Sequence, residues 1–446
     1  MNRTVDMTKG SAVRHLLRFA FPLLITNLGQ QLYMIADAAI VGRGVGVKAL
    51  AAVGATDWSY WLILWTVVGL TQGFSTFVSR YFGEKNYKKT NKVIANSVVL
   101  TLAISAILTF IGIVVAEGVL KLLNTPEDIF DGAYTYLVTM ISGTVAVAAY
   151  NLFASFLRAF GDGRSPLVAM GIAAVLNIAL DCLFVFLFGL GIFGAALASI
   201  LSQTVAFIYC FIKLIQVPFL KLDRRCFELD WRMIRELLIF GIPLALEYVV
   251  IALGGIFLQG AVNEFGSAFI AGYTATNKVY GLLECSAISL GLASATFLGQ
   301  NYGAGLKDRF RQGVKTACII VCLMAIAVMV FTFLVRKYLL LLFLDLSAEG
   351  GLQALETAVR YLTIMTWWLL VLYLIHVFRN ALQAMKISLW SFVSGCTECA
   401  ARIFMAKFAV DLIGPDALFI SEPLAWAGAL ITVVIPYFWY RRKLLK

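Results

Sequence analysis

The feature that most constrains this chain is a series of twelve long apolar runs, near residues 15–41, 56–79, 92–115, 133–155, 166–188, 192–215, 235–260, 275–299, 313–335, 358–384, 388–413 and 420–440. Each is long enough to cross a hydrocarbon layer as a helix, which takes about 20 residues. The runs are continuous rather than alternating in polarity, so they do not read as strands of a β-barrel, and the bundle is helical. Composition agrees: 61% of residues are hydrophobic and 14% charged, against roughly 45–50% and 25% in soluble domains. The sequence therefore predicts an all-α polytopic membrane protein. A secreted domain, an ordinary cytosolic enzyme and a nucleic-acid-binding protein are excluded.

The formal net charge of +11 takes its meaning from where the charges lie. An even number of spans puts both termini on one side. That side collects, among others, Arg14, Arg18, the Arg80 to Lys92 loop, Arg158, Arg164, the Lys213 to Arg235 connection, Lys307 to Lys315, Lys386 and Arg441 to Lys443; about 27 of the 36 basic residues lie there in all, and it is cytoplasmic by the positive-inside rule. Glu127, Asp128, Asp131, Asp411, Asp416 and Glu422 mark the other side. The expected location is a bacterial plasma (inner) membrane, multi-pass, with lipid rather than nucleic acid as the surrounding partner. The polar stretch Met1 to Gly10 precedes a run too long for a signal-peptide core and is expected to be retained. Most of the eight cysteines sit inside apolar runs and read as small buried hydrophobes rather than a disulfide framework.

The longest internal connection, around 216–234, mixes Pro218, basic residues and Phe219, Phe227 and Trp231. It divides the chain into lobes 1–215 and 235–446. An internal repeat supports the division: FAFPLLITNLGQQLY (19–33) resembles IFGIPLALEYVVIAL (239–253), STFVSRYFGEKN (75–86) resembles ATFLGQNYGAGL (295–306), and SFLRAF (155–160) more faintly resembles RNALQAM (379–385). The copies lie about 220 residues apart, so two six-helix halves repeat in parallel orientation, an arrangement suited to alternating access.

Ionisable groups inside hydrocarbon are costly and mark candidate sites. Asp37, Asp181, Glu247, Glu284 and Glu398 qualify. Thr26, Gln30, Tyr33 and Asp37 form one polar stripe at the helical period, and Asn177 and Asp181 are i,i+4 neighbours. Two carboxyls and an amide from different helices of one half could hold a hard cation through oxygen ligands, share a proton, or form a structural hydrogen-bond network. In the second half Glu398 and Arg402 are spaced for an ion pair. Glu247 has no obvious local partner, and Glu284 has only Tyr280 and Asn277 on its face. Unpaired carboxyls with aromatics such as Trp367, Trp368, Tyr373 and Trp390 would attract cationic amphiphiles. The expected substrate-binding set is Glu247, Glu284, Gln30, Tyr280 and Trp367. Two histidines, His15 and His376, give no metal or catalytic constellation, the Cys396-x-x-Cys399 spacing has no second pair, and Val41-Gly42-Arg43-Gly44-Val45-Gly46 lacks the Lys-Ser or Lys-Thr of a phosphate loop. Neither an enzyme nor a bound cofactor is expected, and the energy source is an ion gradient rather than ATP.

FPLLITNLGQQLYMIADAAIVGRGVGVKALAAVG (21–54), SRYFGEKN (79–86), SFLRAFGDGRSP (155–166), NIALDCLFVF (177–186), GLGIFGAALAS (189–199) and GIPLALE (241–247) closely resemble the MATE (multidrug and toxic compound extrusion) transporters, most of all the bacterial DNA-damage-inducible branch. The likeness covers essentially the whole chain and is strongest in the first half. It implies a V-shaped pair of pseudo-symmetric six-helix lobes, acting as a monomer, that exports organic, mostly cationic compounds or drugs by alternating access in exchange for Na+ or H+. It further implies that Asp37, Asn177, Asp181 and Ser199, with Tyr33, form the cation-coupling site, the first four as possible Na+ ligands. Ser199 replaces a common Thr and keeps the hydroxyl. The helix-7 and helix-10 carboxylates of the sodium-driven vibrio branch fall on Ile251 and Leu372 here, which favours the first-half site. A flippase for a lipid-linked precursor, from the same superfamily, is the alternative; it usually needs a basic cavity, whereas the intramembrane charges here are mainly acidic.

Overall fold

The computed structural model describes residues 4–123, 125–344, 346 and 350–444. Residues 1–3 and 445–446, the extreme ends of the two expected lobes, lie outside it. The described residues form helices and turns, with no strand among them. They group into two compact units, the first comprising 4–9 and 21–245, the second 10–20 and 246–444.

The chain order is α1 (Ala12–Gly44), α2 (Val47–Gly83), α3 (Tyr87–Leu122), α4 (Glu127–Ser142), α5 (Thr144–Ala159), α6 (Arg164–Asp181) and α7 (Gly191–Ile215). The series then resumes with α8 (Trp231–Val262), α9 (Ser267–Gly303), α10 (Lys307–Leu341), α11 (Gly351–Ala384), α12 (Leu389–Phe404), the single turn α13 (Val410–Ile413) and α14 (Asp416–Leu444). Every apolar run of the sequence coincides with a helix or a helix pair. At 1.5 Å per residue the 37-residue α2 is about 55 Å long, well beyond a 30 Å hydrocarbon layer. Nine described helices are long and apolar enough to span, or ten if α4 and α5, bent by 45° at Gly143, count as one. The remaining two, α1 and the α12–α13 rod, are the ones that carry dense polar stripes. Polarity, not a missing helix, sets them apart.

The unit boundary differs from the expected break at 216–234. Residues 231–245 of α8 belong to unit 1 and residues 10–20 of α1 to unit 2, so each exchanged segment ends within two residues of a proline, Pro22 or Pro243. The first half of α8 is held in unit 1 by small residues. A Cβ on Gly69 would lie 2.6 Å from the Ala245 backbone, and one on Gly73 2.9 Å from that of Gly241, the close helix approach that small residues permit in membranes. The 216–230 connection is also docked: Asn91 donates to the carbonyls of Phe219 and Lys221, Asn96 donates to that of Cys226 and accepts from the Asp230 amide, and Lys92 pairs with Asp230 at 2.8 Å. Phe219 packs on Phe82, Tyr87 and Phe160.

Two helices depart from α geometry, and both do so beside the polar residues. α6 continues into a π-helical stretch, Cys182–Leu187, directly after Asp181, and α12 continues into another, Met405–Ala409. Such π turns are frequent at functional sites. Gly44, at the end of α1, admits the first of them: a Cβ there would lie 2.6 Å from Val185 and 2.7 Å from Phe186.

Candidate functional site

In unit 1 three helices bring the polar residues together. α1 supplies Tyr33 and Asp37, α6 supplies Asn177 and Asp181 one turn apart, and α7 supplies Ser199. The carboxyls of Asp37 and Asp181 come within side-chain hydrogen-bonding reach of each other. Yet Asp37 Oδ1 and both oxygens of Asp181 are buried without a donor. Two carboxylates offer each other no hydrogen, so a proton shared between the carboxyls or a cation against their oxygens would satisfy such a pair. No Lys or Arg is among the groups that act on either acid. Asp181 is 0% and Asn177 1% exposed, and Asp37 is part-buried, so a charge on Asp181 has no water to turn to. Asn177 Nδ2 donates to Ser199 Oγ at 3.3 Å, which leaves Asn177 Oδ1 buried and unpartnered. This donor set of carboxyl, amide and hydroxyl oxygens fits a hard monovalent cation, and equally a shared proton.

Two residues that the sequence reading passed over complete the cluster. The Tyr33 hydroxyl is within reach of Gln203, one helical turn beyond Ser199 on α7. Buried Tyr136 of α4 lies close to Asp37. The i+4 spacing from Ser199 could have signalled Gln203; nothing in the sequence links Tyr136 to α1. Gln30 lies half-buried on the same α1 stripe, and Thr26 donates back to the Pro22 carbonyl at 2.8 Å, the i−4 bond open to a threonine within a helix.

In unit 2 the expectation of an unpaired Glu247 is overturned. Glu247 is 4% exposed and pairs with Arg379 Nε at 3.1 Å. Arg379 also pairs with Glu398, whose other oxygen is 3.3 Å from Arg402, and Arg402 grips Glu422 through two bonds of 2.9 and 2.8 Å. The result is an alternating buried chain, Glu247–Arg379–Glu398–Arg402–Glu422, with Ser394 accepting a further bond from Arg379 at 2.9 Å. The Glu398–Arg402 pair expected from spacing is present, but as one link. Glu422, read from sequence as an acid of the far side, is a part-buried member of the chain. Glu284 also has a counterpart, His376 of α11 at 3.8 Å. Tyr280 stacks on Trp426 beside it. Trp367 does not join this group: it is 65% exposed and packs on Phe333. All eight cysteines, including Cys396 and Cys399, are free.

The chain matches the MatE family over residues 22–183 and again over 243–404. The chain belongs to the MATE family. The double match also places the internal repeat, since both segments begin at a proline, Pro22 and Pro243. Among curated relatives, the probable multidrug resistance protein YoeA of Bacillus subtilis is 25% identical over 99% of this chain and 97% of its own length. The probable multidrug resistance protein YpnP of the same organism is 32% identical over 69% of each. A crystal structure of MATE in complex with MaL6 has the same fold, with a TM-score of 0.89 at 20% identity over 99% of this chain and 98% of that one. This MATE protein is thus a member of a multidrug-transporter family with a multi-pass helical membrane fold.

Proposed function

We propose that this MATE protein exports organic, mostly cationic compounds by alternating access, in antiport with Na+ or H+ bound at Asp37, Asp181, Asn177 and Ser199 of unit 1. The observation that carries the reading is the pair of buried carboxyls with donorless oxygens and no basic group acting on them. A structural role would have satisfied those oxygens; a site that must fill and empty keeps them available. The multidrug resistance names of the relatives support the substrate class. Efflux of a cationic dye in inverted vesicles, driven separately by a pH gradient and by a sodium gradient, tests the reading and separates the two ions. A protein that moves dye under neither gradient refutes it.

The same reading places both termini in the cytoplasm of a bacterial cell, supported by the basic loops. Single cysteines at Asp128 and Lys89, in a cysteine-free background, are expected to differ toward an impermeant maleimide added outside, with only position 128 labelled. Equal or reversed labelling refutes the orientation.

A further inference from the structure

We infer that Glu284 and His376 form a second exchange site in unit 2, one that takes either a monovalent organic cation or a proton. The inference rests on the export reading above and assigns part of the substrate contact to named residues. Glu284 Oε1 and His376 Nε2 lie 3.8 Å apart on neighbouring helices, α9 and α11. Their side chains are 26% and 20% exposed, whereas the members of the nearby ion-pair chain are between 5% and 14% exposed. The pair is therefore reachable where the chain is sealed.

The surroundings leave Glu284 without a permanent cation. Tyr280 and Cys285 of α9, Tyr373 of α11 and Tyr248 of α8 lie close enough to feel its charge. Of the nearby charged groups, Arg379, one turn beyond His376, is committed to Glu247 and Glu398, and Arg402 to Glu398 and Glu422. Tyr373 is spent on Ser286 and on the Leu283 carbonyl. Close packing holds the histidine in place, since a Cβ on Gly291 would lie 3.1 Å from His376 Cβ. The charge balance follows directly. With a neutral imidazole the pair carries one negative charge and can take a monovalent cation beside the Tyr280 ring. With a protonated imidazole the pair is neutral internally, and the cation has no Coulombic reason to stay. One proton gained answers one cation released.

The test is ethidium binding to the purified full-length protein, by fluorescence anisotropy at pH 8 and pH 5.5. Wild type is expected to bind about tenfold or more weakly at the lower pH. His376→Gln is expected to bind at both pH values as wild type does at pH 8, and His376→Arg, with its fixed charge, to bind weakly at both. Glu284→Gln is expected to lose about tenfold at pH 8 and to show little pH dependence. Asp37→Asn, even if transport is lost, is expected to retain the wild-type pH dependence of binding. A pH dependence that survives in His376→Gln overturns the inference, as does wild-type binding by Glu284→Gln at pH 8. If Asp37→Asn alone flattens the profile, competition belongs to the acid pair: the inference fails and the export reading stands.

Discussion

In unit 1 two carboxyls approach each other with no basic side chain acting on them, while in unit 2 three carboxyls alternate with two guanidinium groups. The positions correspond. Asn177 and Asp181 stand six and two residues before the end of the first MatE match, and Glu398 and Arg402 stand six and two before the end of the second. Both site helices then run into a π-helical stretch. The repeat has kept the backbone device and changed the charge placed on it. Where an aspartate sits, the site is short of a cation. Where an arginine sits, the charge is supplied from within, and the network closes on itself. Burying charge is costly in both units, but a closed chain meets that cost permanently, whereas an open acid pair meets it only when an ion or proton is bound.

The largest expected effect breaks the unit 1 side of this contrast. Asp37→Asn and Asp181→Asn each keep shape and hydrogen-bonding capacity but remove the charge. Gradient-driven efflux is expected to fall by a hundredfold or more, roughly the loss of a bound ion's Coulombic hold, with expression and thermal stability nearly unchanged. Mutants that still transport but unfold at lower temperature would show the acid pair to be structural.

Unit 2 should behave in the opposite way. Arg402→Met leaves Glu422 uncompensated and Glu398 with Arg379 alone, and removing one partner of a buried ion pair costs about 3–5 kcal/mol. A large drop in thermal stability in detergent is expected, partly restored by adding Glu422→Gln. Glu247→Gln should likewise weaken the fold more than it discriminates between cationic and neutral substrates. Equal stability of Arg402→Met and wild type would mean that the chain is not what holds α11, α12 and α14 together.

What the sequence made legible follows from range. The apolar runs, the 22/243 repeat and the Tyr33–Asp37 and Asn177–Asp181 spacings all express helical periodicity, which is local, and an acid inside hydrocarbon is conspicuous wherever it falls. The partners of Glu247 and Glu284 were not legible, because Arg379 and His376 reach them from α11, far along the chain. The same reason hid Tyr136 and the burial of Glu422. Trp367, an aromatic counted by its chemistry, is largely exposed and packs on Phe333, and a helix buried on more than one side gives no single apolar stripe from which to read orientation. The π-helical stretches carry no recognised signature, since they are one-residue insertions that only the fold reveals.

The smallest expected effect lies on the connection that docks to α3 in unit 1. Asp230 caps the start of α8, accepting from the amides of Arg232 and Met233 at 3.1 and 3.2 Å, and pairs with Lys92 at 2.8 Å. The Lys92 ammonium beside it, helped by those amides, holds its carboxyl below the usual aspartate range. A carboxyl whose folded value is depressed contributes stability that is whole above the unfolded value, about 3.9, and is lost as the pH falls through the folded one. The contribution is thus intact across neutral pH and disappears only in strong acid. Because the pair is part-exposed it is worth no more than about 1 kcal/mol, and the two asparagine contacts remain without it. Asp230→Asn is therefore expected to raise limited proteolysis within 216–230 only a few-fold at pH 7, with efflux unaffected. Asn96→Ala, which frees the Cys226 carbonyl and the Asp230 amide together, should raise it more. If the order is reversed, the ion pair rather than the asparagine contacts fastens the connection.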